Sequence, residues 1–231
     1  FNEKWLQELI RDNPMMLPAN EVDVIFSPLT SIGFEVNVKG RYIDNLFMSP
    51  FGTITIVETK LWRNPEARRD VFSQIIEYAQ ELSTWNYETL SKQYETYCAK
   101  HSISSKGIFE QINLNHKKNL VHTKKIDFVD AVNRNLRLGR MLLLIVGDGI
   151  RESVADLFDF VNRTPGLSYI LSLVEMQCFT LNEKKTWPLI VFPRIVAKTE
   201  IVERTIVQID IPEELNLKSS IKVEKSKDSK K

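Results

Sequence analysis

Ser49-Pro50-Phe51-Gly52 separates two runs of strand-forming residues, roughly Tyr42–Ser49 and Thr53–Leu61, and sets how they meet. Proline at the second place and glycine at the fourth are the signature of a type I turn. A left-handed Gly52 closes such a turn into a three-residue hairpin loop. With Pro50–Gly52 as that loop, Ser49 faces Thr53. Counting back along both strands puts Asp44 opposite Glu58. Strand side chains alternate between faces, so Glu58 and Lys60 share one with Ile54 and Ile56. On this register Asp44, Glu58 and Lys60 project from one side of the sheet. A bulge would move the register by one residue and flip the face.

Two carboxylates on neighbouring strands repel each other unless a cation lies between them. Hard oxygen ligands suit Mg²⁺, with Mn²⁺ as a substitute, and two carboxylates leave room for water and a phosphate oxygen. Such a cation lowers the pKa of water and neutralises phosphate charge. The Lys60 ammonium can offset the charge that builds up during phosphodiester hydrolysis. The competing interpretation is an ion-pair cluster on an exposed sheet face; Ile54 and Ile56 on that face argue against it.

The remaining pattern is that of an α/β domain. Asn2 caps a helix with Trp5, Leu6, Leu9 and Ile10 as its apolar stripe, stopped by Asn13-Pro14. Extended runs are expected at Val22–Phe26 and Gly33–Val38. Asn64-Pro65-Glu66 starts a helix in which Val71, Ile75, Ala79 and Leu82 recur at helical spacing. Gln74 and Tyr78, four apart, lie one above the other beside that stripe. A helix over Tyr87–Cys98 and another over Ile126–Leu136 follow, then strands at Met141–Val146, Tyr169–Thr180 and Leu189–Ala197. Gly147-Asp148-Gly149 lacks the Lys-Ser/Thr of a phosphate loop and reads as a turn into a helix reaching about Phe160.

Together "RYIDNLF", "GTITIVETKLW" and "NPEARRDVFSQIIEYA" resemble the PD-(D/E)xK nuclease superfamily, which has the restriction-endonuclease-like fold. Asp44 matches its first acidic position and Glu58-Thr59-Lys60 its E-x-K element. Gln74 and Tyr78 match the Q-x-x-x-Y element of one of its subgroups. "FNEKWLQELIRDNP" resembles the opening helix, with Glu3 at the site-bordering glutamate. The resemblance spans roughly residues 1–85 and is weaker over Leu142–Ala197. It implies a restriction-endonuclease-like core with a mixed central sheet flanked by helices, and a helical basic insertion at about 86–138. It also implies catalytic Asp44, Glu58, Lys60, Gln74 and Tyr78, and a metal held by Asp44, Glu58, Thr59 and Glu3.

Net charge is only +1, so the chain as a whole is no obvious polyanion binder. Charge is unevenly spread, however: Lys100–Arg140 holds nine Lys/Arg against three Asp/Glu. Lys117, Lys118, Lys124 and Lys125 are candidate phosphate contacts there, as are Arg68 and Arg69 on the helix after the E-x-K strand. Taken alone, all six fit solvated surface charge equally well. Cys98 and Cys178 are isolated, which suits a reducing compartment. The absence of a long apolar run or a signal-peptide pattern suits a cytoplasmic protein with no membrane partner. Residues 1–212 read as one domain, and the lysine-rich stretch 213–231 as a disordered tail. The expectation is a Mg²⁺-dependent deoxyribonuclease serving repair, recombination or defence, with homodimerisation left open. The alternative is a catalytically inactive nucleic-acid-binding or interaction module on the same fold.

Overall fold

The computed structural model describes residues 2–61, 66–117, 121–148, 169–180 and 189–199. All of them belong to one compact unit, Phe1–Ile201. The helix expected after Gly149, the Lys-rich tail and Lys118 lie outside the described residues.

Among the described residues, α-helices and strands occur in the order α1 (Glu3–Asp12), α2 (Ala19–Val22), β1 (Thr30–Val38), β2 (Arg41–Met48), β3 (Ile54–Leu61), α3 (Glu66–Leu82), α4 (Tyr87–Lys100), α5 (Ile108–Asn115), α6 (Lys125–Arg137), β4 (Met141–Asp148), β5 (Ile170–Thr180) and β6 (Leu189–Lys198). The strands form one mixed sheet in sequence order. β1–β3 are an antiparallel meander, β3, β4 and β5 run parallel, and β6 returns antiparallel. A parallel neighbour needs a crossover over the sheet face, and the helices from α3 to α6 lie in the β3–β4 connection.

Each face of the sheet buries its own apolar set. Ile54, Ile56, Leu143, Ile145, Leu171 and Leu173 pack with α3, α4 and α6. Val57, Leu142, Leu144, Val146 and Val174 pack with Leu6 and Ile10 of α1. Met141–Val146 is wholly buried because helices cover both of its faces. Asn2 caps α1 as expected, accepting the Trp5 N–H at 2.9 Å. Val22–Phe26 is not extended: it holds the end of α2 and a 3-10 turn over Val24–Phe26, where the Asp23 side chain captures the Ile25 N–H. That local bond offers the backbone a partner before any strand can. The edge strand β6 accommodates Pro193 inside a long run, as edge strands do. Among the described residues, no helix is long and apolar enough to cross a membrane.

The β2–β3 hairpin has the register counted from its turn. Ser49 donates its N–H to Thr53 O at 3.1 Å, and the pairs run from Met48↔Ile54 to Asn45↔Val57. There the ladder stops. β2 goes on pairing with β1 as far as Val38↔Arg41, and β3 with β4 as far as Leu61↔Asp148. The sheet therefore splits between β2 and β3 just where Asp44 and Glu58 come next, opening a notch. At the other end of the hairpin, Asn135 of α6 donates to Phe51 O (3.1 Å) and Gly52 O (3.0 Å).

Gly52 has φ +69°, and a Cβ there would meet Val132 Cγ2 at 2.9 Å. Gly52→Ala should lower stability by about 2 kcal/mol or more, from the strained φ and the clash together. Urea denaturation followed by circular dichroism measures it.

Candidate active site

Beyond Asn45↔Val57, β3 must still satisfy the N–H groups that face the departed β2. Thr59 donates its N–H (2.7 Å) and its hydroxyl (2.6 Å) to Asp44 Oδ2. Leu61 donates its N–H to Glu3 Oε1 at 3.1 Å. Side-chain carboxylates thus replace the missing strand. Glu3 Oε1 also lies 3.4 Å from the Lys60 ammonium.

Glu58 sits deeper, 7% exposed, on the α3 face of the sheet. Gln74 Nε2 donates to Glu58 Oε1 at 3.0 Å and to the Tyr78 hydroxyl at 2.7 Å. Tyr78 donates its own hydroxyl to the carbonyl of Tyr42 at 2.8 Å. The four-residue spacing on α3 therefore ties the two lips of the notch together, Glu58 on β3 and Tyr42 on β2. Glu58 Oε2 is buried and has no hydrogen-bond partner among the described residues.

The electrostatics follow from this burial. Desolvation, helped by the charge of Asp44 and opposed by Lys60, pushes the Glu58 carboxyl up to about 9. Asp44 is also raised, chiefly by desolvation, against the two Thr59 bonds and one from the Gln7 side chain. Burial raises the Tyr78 hydroxyl, while its bond with Gln74 opposes the shift.

The structure thus brings together Glu3, Asp44, Glu58, Thr59, Lys60, Gln74 and Tyr78. Gln7 escaped the sequence reading although it lies four residues after Glu3, on the same side of α1. Among the described residues no group of three or more His, Cys, Asp or Glu side chains is placed to hold a metal ion. Glu3, expected beside the metal, is engaged by Leu61 and Lys60 instead. A cation that keeps most of its waters needs only one or two carboxylates. The partnerless Glu58 Oε2, close enough to Asp44 to feel its charge, fits that requirement.

The basic segment is moored at more than one place: Lys100 pairs with Glu35 of β1 at 2.8 Å. His116 Nε2 bonds Thr30 Oγ1 at 2.7 Å, and Asn135 holds the β2–β3 turn. Gly52 lies six residues from Glu58, about 20 Å along β3. Lys117, beside His116, is therefore at the turn end rather than at the notch. Lys117, Lys124 and Lys125 are exposed, and Lys125 pairs with Glu110 at 3.1 Å. The side chains of Arg68 and Arg69 lie outside the described residues. No protein-family model, curated protein or solved structure matches the chain.

In metal-free protein, folded Glu58 keeps its proton up to about pH 9, whereas the unfolded side chain loses it near 4.5. The stability this contributes is full below pH 4.5 and is lost as pH rises through 9. Glu58→Gln should flatten that loss and be the more stable form at pH 8 by on the order of 1–3 kcal/mol. Denaturation in EDTA across this pH range tests it.

Proposed function

We propose that this chain is a Mg²⁺-dependent deoxyribonuclease of the PD-(D/E)xK type, built on a restriction-endonuclease-like core. The observation that carries the reading is the buried, partnerless Glu58 Oε2 beside Asp44, where β2 and β3 part. A carboxylate is costly to bury without a partner, and a hard cation is the partner that would ionise it. The order of α1 and α2, a three-strand meander, the α3–α6 crossover and a parallel strand supports the same reading, as does the Q-x-x-x-Y pair bonded to the site.

Asp44 and Glu58 would hold the cation. When bound, it supplies Lewis acidity toward a phosphate oxygen and lowers the pKa of water. The protein's own groups do the rest. Gln74 fixes the Glu58 carboxylate so that Oε2 stays open. Tyr78 keeps β2 and β3 at a set separation. Glu3 holds the Lys60 ammonium at the mouth, where it can offset charge developing on a scissile phosphate. Exposed Lys117, Lys124 and Lys125 add phosphate attraction away from the reacting centre.

One observation favours the alternative, a non-catalytic nucleic-acid-binding module. Asp44 Oδ2 and Glu3 Oε1 already serve β3 as backbone caps, a structural task that needs no metal. The two readings separate on Lys60, which makes no such backbone bond.

Lys60→Ala should reduce cleavage of end-labelled DNA in Mg²⁺ by about 100-fold or more, the loss expected for one transition-state donor. DNA affinity should change by less than about threefold, since one ammonium adds little to many phosphate contacts. Calorimetric titration with Mn²⁺ should give binding that Glu58→Gln abolishes. Turnover by the Lys60 variant at the wild-type rate, or Mn²⁺ binding that survives Glu58→Gln, would overturn the mechanism.

A further inference from the structure

β4 pairs with β5 only as far as Gly147↔Glu175. Among the described residues β5 and β6 continue without a third strand through Met176↔Pro193 to Thr180↔Leu189, a two-stranded ribbon beyond β4. Cross-strand partners share a face, so Lys60, Gly147, Glu175 and Arg194 form one row across β3, β4, β5 and β6. That row lies on the face of Glu58, and alternation carries the same face along the ribbon to Gln177, Phe179 and Phe192. Phe179 is 52% exposed and Phe192 is 55% exposed. Their ring centroids are 6.0 Å apart in an edge-to-face arrangement. Packing against each other leaves half of each ring in water, at the end of the sheet where the notch opens.

Resting on the nuclease reading above, we infer that the β5–β6 ribbon is a stacking platform for unpaired bases, and that the substrate is single-stranded DNA or DNA with a single-stranded tail. Three features select this occupant. Two half-exposed rings present faces that any base can stack on. Beyond Ile190, which pairs opposite Phe179, their neighbours on the same face are Gln177 and Arg194, the latter donating to Glu175 at 2.9 Å while 59% exposed. A docking site for an apolar protein segment would instead present a continuous apolar patch. Finally, Gly147 has no side chain to block the path between Lys60 and the ribbon. From Lys60 the aromatic pair is about 10 Å across the strands and about 13 Å along them. A few nucleotides of an extended strand span that interval.

The test uses the full chain in EDTA, with fluorescence anisotropy of labelled oligothymidine and of a blunt duplex. Phe179→Ala/Phe192→Ala should weaken oligothymidine binding about 10-fold or more, with duplex binding within about twofold. Phe192→Trp should retain affinity, and the added indole emission should be quenched when oligothymidine binds. The platform is overturned by wild-type protein that does not bind oligothymidine, by unchanged oligothymidine affinity in the double alanine variant, or by an unquenched indole. It is equally overturned if the wild type self-associates through this face and the alanine variant does not. Cleavage in Mg²⁺ is scored separately. No cleavage, with stacking lost in the alanine variant, removes the nuclease reading and leaves the platform; cleavage without the stacking loss does the reverse.

Discussion

A sheet that splits must find new partners for the backbone it strands. Between β2 and β3 the ladder ends at Asn45↔Val57, yet both strands continue. The N–H groups of Thr59 and Leu61 then face a gap, and an unpaired buried N–H costs about as much as a lost hydrogen bond. Asp44 and Glu3 supply the acceptors. The acidic mouth of the notch follows from that requirement, because carboxylates reach across a gap and accept strongly charge-assisted bonds. Glu58 is different, for it caps no backbone group: Oε1 accepts from Gln74, and Oε2 is buried without a partner among the described residues. Structural need explains two of the three acids and does not account for the buried Glu58 Oε2.

Much of this was legible in the chain. The turn at Ser49–Gly52 fixed the hairpin register as far as Asn45↔Val57; beyond it Asp44 does not pair with Glu58, and its carboxylate accepts from Thr59 instead. Alternation put Glu58 on the face that α3 covers, and helical spacing put Gln74 one turn from Tyr78. Val22–Phe26 misled because its apolar residues suit a strand, while the decisive contact, Asp23 to the Ile25 N–H, is a short local bond that hydrophobic pattern does not register. The splitting of the sheet was also invisible, since beyond the hairpin the partners are side chains of α1 and α3 rather than a strand. Gln7 and the Tyr42 carbonyl entered the site that way. So did the position of the basic segment: charge counts say how many lysines there are, but Asn135 and His116 decide where the segment is moored.

The two ends of the β1–β3 meander serve different ends of the argument. At the notch, Gln74 and Tyr78 bridge strands that no longer pair, so α3 substitutes for a ladder. At the turn, tight pairing persists and α6 sits directly over Gly52. A rigid closed end and an open end held by side chains give a wedge, whose opening is set by the length of the Gln74–Tyr78 linkage rather than by backbone pairing.

Asn135 gives that wedge a further property. Its amide grips the carbonyls of Phe51 and Gly52 from more than eighty residues away in sequence, and Val132 rests where only a glycine fits. A hairpin forms from local contacts and closes early, when a slip by one residue is cheap. A slipped hairpin would offer α6 a side chain at the glycine position and leave the buried Asn135 amide without its two acceptors. The native seat of α6 therefore fits a hairpin in this register only, the register on which the placing of Asp44 and Glu58 depends.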